Sequence, residues 1–504
     1  MKVLDFLFIP PPLWRISHKT IILVVILTQL HFIVIAQDNT LYHIPVIPQA
    51  NQLNPALIHR CRVYVELPVI SSIKLNIRNT GFGFHDAVHS DEATGPDVYF
   101  LDLEKLDRKL RSINYFMTYL DVDLLGIGFP VKDWYFTFGI NHHTSLRLSY
   151  PDDIVTVKDG NWDVDAGAPI PISFSGLGID ISMWNSIGIS AAREVNDQLT
   201  AGLRLKYLQG MANLNTRRSQ LDLNTLENPV ALEAEARYLM NVSFPVVLGY
   251  NNSGLVDEIN LDNVFGNITG DFIFNKNRGA AIDAGIVFDY DDNIQLSASI
   301  TDLGFIRWKK NVNNFNAEGS YSFTGIDIDR YQSEPGQADL LQALQDSLFR
   351  AFTAEGTTKG YFTMAPVRVF GGITYKFLPK LNAGAMTRIE FYDLNIRPSL
   401  TLSMNYTPIP SLAATLSYTV MNNKFDQAGA GLVLGNRGAQ FYILTDNIPV
   451  RFTGLAGSPV FWPYNARMLS LRFGFNLLFG CNQKDSKGRS HRPGSRKGTC
   501  PAYW

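Results

Sequence analysis

Long runs in which apolar and polar side chains strictly alternate recur along most of this chain, and they constrain its fold more than any other feature. From Leu469 to Phe479, Leu469, Leu471, Phe473, Phe475, Leu477 and Phe479 fall on one side. Ser470, Arg472, Gly474 and Asn476 fall on the other. Alternation of this kind is the signature of a strand with two chemically different faces. The same pattern returns at 230–244, 280–288, 367–377, 381–391 and 400–406. These runs exceed the usual strand of about 5–6 residues and reach the length of about 9–11 that a tilted strand needs to cross a bilayer. Their second faces carry Arg, Glu, Asp and Asn, which are costly against lipid, so those faces belong in a polar interior. Within lipid an open sheet edge has no water to satisfy it, so the strands must close on themselves. The expected fold is an all-β, closed antiparallel transmembrane barrel, with one or two short helices in its insertions.

Composition narrows the alternatives. Hydrophobic residues make up 46% and charged residues only 18%. A helical membrane protein would show several apolar runs of roughly 18 residues or more; here one run stands out, Ile21 to Ile35 at the N-terminus. Lys19 precedes it, and Val34-Ile35-Ala36 offers a cleavage site before Gln37. Residues 1–36 therefore read as an export signal, with an uncleaved anchor as the other reading. A net charge of −2 with no basic face in the body excludes a nucleic-acid partner.

The spans number fifteen, near 62–77, 114–129, 134–148, 177–193, 198–209, 230–244, 279–290, 293–303, 366–377, 381–391, 399–407, 411–422, 427–435, 438–446 and 468–479. Because such barrels take an even number of strands, one span is surplus, and fourteen strands are expected, with sixteen next. Residues 37–61 form an N-terminal periplasmic segment, 62–480 the barrel, and 481–504 a basic tail with little to bury and no expected order. Insertions are expected at 78–113, 149–176, 210–229, 245–278 and 304–365. Helical spacing of Leu103, Leu106 and Leu110, and of Leu341, Leu344, Leu348 and Phe352, places short helices in the first and last.

Several ordered segments carry a resemblance. They are Asn51-Gln52-Leu53-Asn54-Pro55-Ala56, Tyr135 to Ile140, Asp302-Leu303-Gly304-Phe305-Ile306-Arg307-Trp308, Gly325-Ile326-Asp327, Tyr442 to Asn447 by way of Asp446, and Leu471 to Gly480 with Gly474 and Asn476. Together they resemble an uncharacterised outer-membrane barrel family common in Bacteroidota. That family is similar in outline to FadL-type fatty-acid transporter barrels and to type IX secretion shuttle barrels. The resemblance implies an outer-membrane location among lipid and a barrel fold. It implies either passage of a small hydrophobic molecule or docking of a secretion or periplasmic protein by the loops. The basic tail beyond Gly480 departs from the family's usual ending.

No catalytic, cofactor or metal constellation emerges. GxSxG, CxxC and HExxH are absent from the sequence. His142 and His143 are adjacent, so on a strand they face opposite sides and cannot chelate together. His85, Asp86 and His89 read as a solvated loop. Asp446-Asn447 and Trp308-Lys309-Lys310 read as strand-end features, and Trp134, Tyr250 and Trp308 as interfacial aromatics. Cys61 just precedes the first strand and Cys481 just follows the last. In an even-stranded barrel those strands are neighbours, so the two cysteines should meet at the periplasmic rim, where a disulfide is chemically allowed.

Overall fold

The computed structural model describes residues 38–481, except 60, 91–98, 228–229, 245–246, 251–255, 261–276, 324–351, 393–394, 422–423, 449–451, 455–460 and 464–466. The N-terminal stretch read as an export signal, Asp327, the second helical pattern near 341–348 and the basic tail lie outside the described residues.

The wall is built from β1 (Val63–Glu66), β2 (Ile73–Asn79), β3 (Ile113–Val131), β4 (Trp134–Pro151), β5 (Gly178–Glu194), β6 (Leu199–Glu227), β7 (Val230–Ser243), β8 (Asn277–Asp289) and β9 (Ile294–Trp308). It continues with β10 (Asn314–Phe323), β11 (Phe352–Thr357), β12 (Tyr361–Met364), β13 (Val367–Leu378), β14 (Leu381–Tyr392), β15 (Asn395–Ile409), β16 (Leu412–Met421), β17 (Lys424–Thr445) and β18 (Met468–Phe479). Neighbours pair antiparallel, and β18 returns to β1 with Val63 opposite Phe479, which closes a barrel of fourteen strand positions.

Several positions are shared by consecutive segments. β6 is 29 residues long and pairs with β8 along Leu199–Gly210 and with β7 along Asn213–Glu227. β7 and β8 therefore stack end to end in one wall position. This removes the surplus span: 230–244 and 279–290 are two halves of one strand position. It also corrects the expected insertion at 210–229, which is the outer part of β6. Likewise β9 continues into β10, and β11, β12 and β13 follow one another beside them.

The outward face is apolar because alternation puts it there. Along β15, Leu402 and Met404 are each 53% exposed, while Thr401 is fully buried and Asn405 nearly so. On β18, Arg472 and Asn476 turn inward and Phe473 and Phe475 lie on the opposite, half-buried face. Leu471 shares their side of the strand but is itself covered.

At one end every connection is short: 132–133, 195–198, 290–293, 379–380 and 410–411, with a tight turn inside β17. Two-residue turns need a positive φ to match strand twist, and Lys132 supplies one at 55°. Gly435 and Gly438 do so in β17, at 89° and 74°. The long connections 80–112, 152–177 and 446–467 leave from the other end. By the asymmetry of outer-membrane barrels, the short-turn end is periplasmic. The first outer connection holds α2 (Leu103–Asp107), shorter than its leucine spacing predicted and capped by Asp102, whose carboxylate accepts from Lys105 N at 2.8 Å.

Cys61 and Cys481 are disulfide-bonded across the seam, with Cα atoms 4.1 Å apart. Of the three aromatics expected at the interfaces, Trp134 is 43% exposed at the periplasmic turn. Trp308 corrects its expectation. It is fully buried against Leu208, Ala281 and Ile306, and its indole N–H donates to Thr363 Oγ1 at 2.8 Å. The side chain of Tyr250 lies outside the described residues.

Candidate functional site: a plugged lumen

Residues 38–57 carry α1 (Asp38–Tyr42) and a 3₁₀ turn (Pro48–Gln52), and almost every side chain in them is buried. Their partners lie on strands all round the barrel. Gln52 Nε2 donates to Asp123 on β3 at 3.0 Å, and Asn54 Nδ2 to the Ile286 carbonyl on β8 at 3.2 Å. Ser299 on β9 donates to the Leu53 carbonyl at 2.7 Å, and Gln440 on β17 to the Val46 carbonyl at 2.8 Å. Only a segment inside the barrel can reach all of these at once. The sequence reading of 37–61 as a segment outside the barrel is thereby corrected: most of it is a plug.

The wall is shaped to receive it. Lumenal positions elsewhere are polar, but Phe370, Met386, Val433, Tyr442 and Leu444 form an apolar seat for Leu41, Ile44, Ile47 and Leu53. Fully burying one such side chain contributes roughly 1.5–3 kcal/mol. Polar locks surround the seat. Thr40 N donates to Asp446 Oδ1 at 2.7 Å. Gln49 and Asn476 exchange amide bonds at 2.8 and 3.0 Å. Arg472 reaches Gln52 Oε1 at 2.8 Å, and Arg204 reaches the Asn51 carbonyl at 3.0 Å.

Asn54-Pro55-Ala56 closes the plug against two wall glycines. A Cβ on Gly202 would lie 2.4 Å from the Pro55 carbonyl, and one on Gly285 would lie 2.0 Å from Asn54 Oδ1. Asn54 Oδ1 also accepts from Ala56 N at 2.9 Å, which sets the turn. A family model described as "Family of unknown function (DUF5723)" matches residues 55–446, from this turn to the Asp446 lock.

The chain belongs to the DUF5723 family.

No curated protein sequence matches it significantly. Among solved structures it is similar to a Pseudomonas aeruginosa FadL homologue, at 11% identity and TM-score 0.36, over 86% of this chain and 94% of that one. It is similar to the Pseudomonas putida toluene transporter TodX, at 8% and 0.35 over 85% and 91%. A third is the translocator domain of autotransporter NalP from Neisseria meningitidis, at 8% and 0.25 over 83% and 88%. At these values the likeness is one of outline alone.

Several segments that carried the family resemblance meet at the plug of this DUF5723 barrel. Asp446 and Asn476 hold it, as above. Gly474 lets the strand approach the Ser71 carbonyl, which a Cβ there would meet at 1.9 Å. Asn447 instead ties the end of β17 to the Met468 carbonyl at 2.6 Å. Gly304 and Trp308 belong to a separate cluster higher in the wall, where a Gly304 Cβ would lie 2.1 Å from the Ala280 carbonyl.

The rest of the lumen is lined by ion pairs. Asp283 takes Arg204 at 3.2 Å and Lys206 at 2.8 Å. Asp302 takes Lys206 at 2.5 Å and also Arg368. Asp302 sits in the left-handed region at φ 61°, costly for a residue other than glycine and held by these partners. His143 joins Asp121 at 2.8 Å while His142 binds Asn185 at 2.8 Å, so the adjacent pair does diverge. Asp86 is taken by Arg467 at 3.2 Å and Lys109 at 3.9 Å; the side chains of His85 and His89 are not among the described residues.

Beside the plug at the periplasmic end is a solvent-open cavity of about 940 Å³, lined by Tyr42, Ile44, Val46, Leu57, Leu412 and Val433 together with hydroxyl and amide side chains. His43 also faces it. Burial pushes the His43 imidazole down to about 4, and its Nε2 has no hydrogen-bond partner among the described residues.

Sequence reasoning missed the plug because it has no periodicity of its own. The usable signal was compositional: Gln49, Asn51, Gln52 and Asn54 follow an apolar stretch just ahead of the first strand, and these are the side chains a polar lumen can satisfy.

Proposed function

We propose that this chain is an outer-membrane transporter for small hydrophobic molecules, exported by residues 1–36 and closed at rest by residues 38–57. The observation that carries the reading is the plug itself, seated in the lumen with a part-apolar cavity at its side. A barrel meant only as a scaffold needs no cavity there. A carrier needs a place where a solute leaves the pathway, with apolar walls and a few polar groups to orient it.

The test is binding at that cavity. Purified full-length protein should retain small apolar molecules detectable by mass spectrometry, and should bind a hydrophobic fluorescent probe. Ala413→Trp, which fills the cavity from β16, should weaken probe binding at least tenfold. Probe binding that is equal in the variant would overturn the reading.

A second reading, docking of a partner protein, is favoured by the reach of β6. At about 3.3 Å per residue its 29 residues run far past the length a membrane crossing needs. Beyond Gly210 the wall continues as paired β6, β7, β10 and β11, with Arg237 meeting Glu235 at 2.9 Å and Glu318 at 3.6 Å on an exposed surface.

A further inference from the structure

Above the plug the lumen holds a second chamber of about 760 Å³, open to solvent and set toward the outer ends of β2, β13, β14 and β15. We propose that this chamber is a binding site for a small, multiply charged oxyanion, held by Arg78, Arg388 and Arg397. The proposal stands whether or not the periplasmic cavity takes an apolar solute.

Charge is the first support. Elsewhere in the chamber each cation has its carboxylate: Lys74 meets Asp121 at 2.9 Å, and Arg368 meets Asp302. Around Arg78, Arg388 and Arg397 the only carboxylate lining the chamber among the described residues is Glu390. Three guanidiniums surround that one carboxylate. Register brings them together. Arg397 lies directly across from Glu390, and Ser399 is paired with Arg388 on one side and with Met421 on the other. Arg78 reaches that same Met421 from β2.

Unmet hydrogen-bonding capacity is the second support, independent of the count. Arg388 is 7% exposed, its Nε has no partner among the described residues, and its Nη2 stands 3.8 Å from Glu390. Arg78 directs Nη1 at the Met421 sulfur, 2.7 Å away. A thioether is a weak acceptor, and it is the only side-chain partner of Arg78 among the described residues. Arg397 also lines the chamber and has the Tyr119 hydroxyl among its partners, at 3.4 Å. Buried donors without good acceptors are costly, and like charges in a lumen repel. One ligand removes both penalties: an anion with at least two charges and several oxygens. Guanidinium forks suit phosphate and carboxylate oxygens alike, so the shared chemistry is the oxyanion.

Calorimetric titration of the full chain in detergent tests this, with inorganic pyrophosphate and tricarballylate as probes and acetate as the singly charged comparison. At least one multiply charged probe should bind saturably, and at least tenfold more tightly than acetate. Arg388→Gln and Arg397→Gln should each weaken it tenfold or more, with Arg388→Lys intermediate because it keeps charge but loses the fork. Arg193→Gln, at the periplasmic turn, should change nothing. Heat-shifted gel mobility shows which variants form the barrel; should Arg388→Gln fail to, Arg78→Gln takes its place, since it gives up only a sulfur contact. The proposal is overturned if neither probe binds, if acetate binds as well, or if affinity survives the glutamine substitutions.

Discussion

At Gly202 and Gly285 a single hydrogen atom stands where any other residue would put a methyl group into the plug. The Asn54-Pro55-Ala56 turn approaches so closely that Gly202→Leu must push it off the wall. With an Ala50→Cys reporter in a Cys500→Ser background, maleimide should label the buried position 50 at least tenfold faster in Gly202→Leu than in the parent. An unchanged rate would mean that the turn does not hold the plug. His43 adds a pH dependence. Its imidazole titrates near 6.5 when exposed and at about 4 when seated. The seated state is therefore at full strength above pH 6.5 and weakens as pH falls through 6.5 toward 4, by roughly 3 kcal/mol in all. Labelling of position 50 should rise over that window, and His43→Gln should flatten the rise. None of these contacts could be read in the sequence. Thr40 and Asp446 are 406 positions apart and Gln49 and Asn476 are 427 apart, and no local pattern links them.

At the scale of elements the sequence was far more informative. Alternation along 469–479 correctly separated Arg472 and Asn476 from Phe473 and Phe475, because one strand with water on one side and lipid on the other leaves no choice of face. Where segments are stacked, local pattern was not enough: 230–244 and 279–290 each look like a full span, and only their shared partner β6 reveals them as halves. Trp308 misled for a related reason. Trp followed by Lys suits a membrane interface, but here the chain shifts at 309–313 from pairing with β8 to pairing with β7, and the indole fills the wall just before that junction. The seam between β18 and β1 carries its own prediction. Cys61–Cys481 ties the two ends of the barrel over 420 residues, and loss of a native disulfide typically costs about 2–5 kcal/mol. Cys61→Ser should lower the temperature at which the folded gel band is lost, while the barrel still forms. An equal transition temperature would show that strand pairing alone holds the seam.

For the molecule as a whole, the proposed function makes the barrel a conduit and residues 38–57 its closure. The wall glycines, the apolar seat and the amide locks all bear on that one segment. Single-channel recording in planar lipid bilayers compares the full chain with a chain lacking residues 38–57, the folded barrel being verified for each by heat-shifted mobility. The full chain should be closed or nearly so at neutral pH, and the shortened chain should conduct steadily. A folded barrel without the segment that conducts no better than the full chain would contradict this.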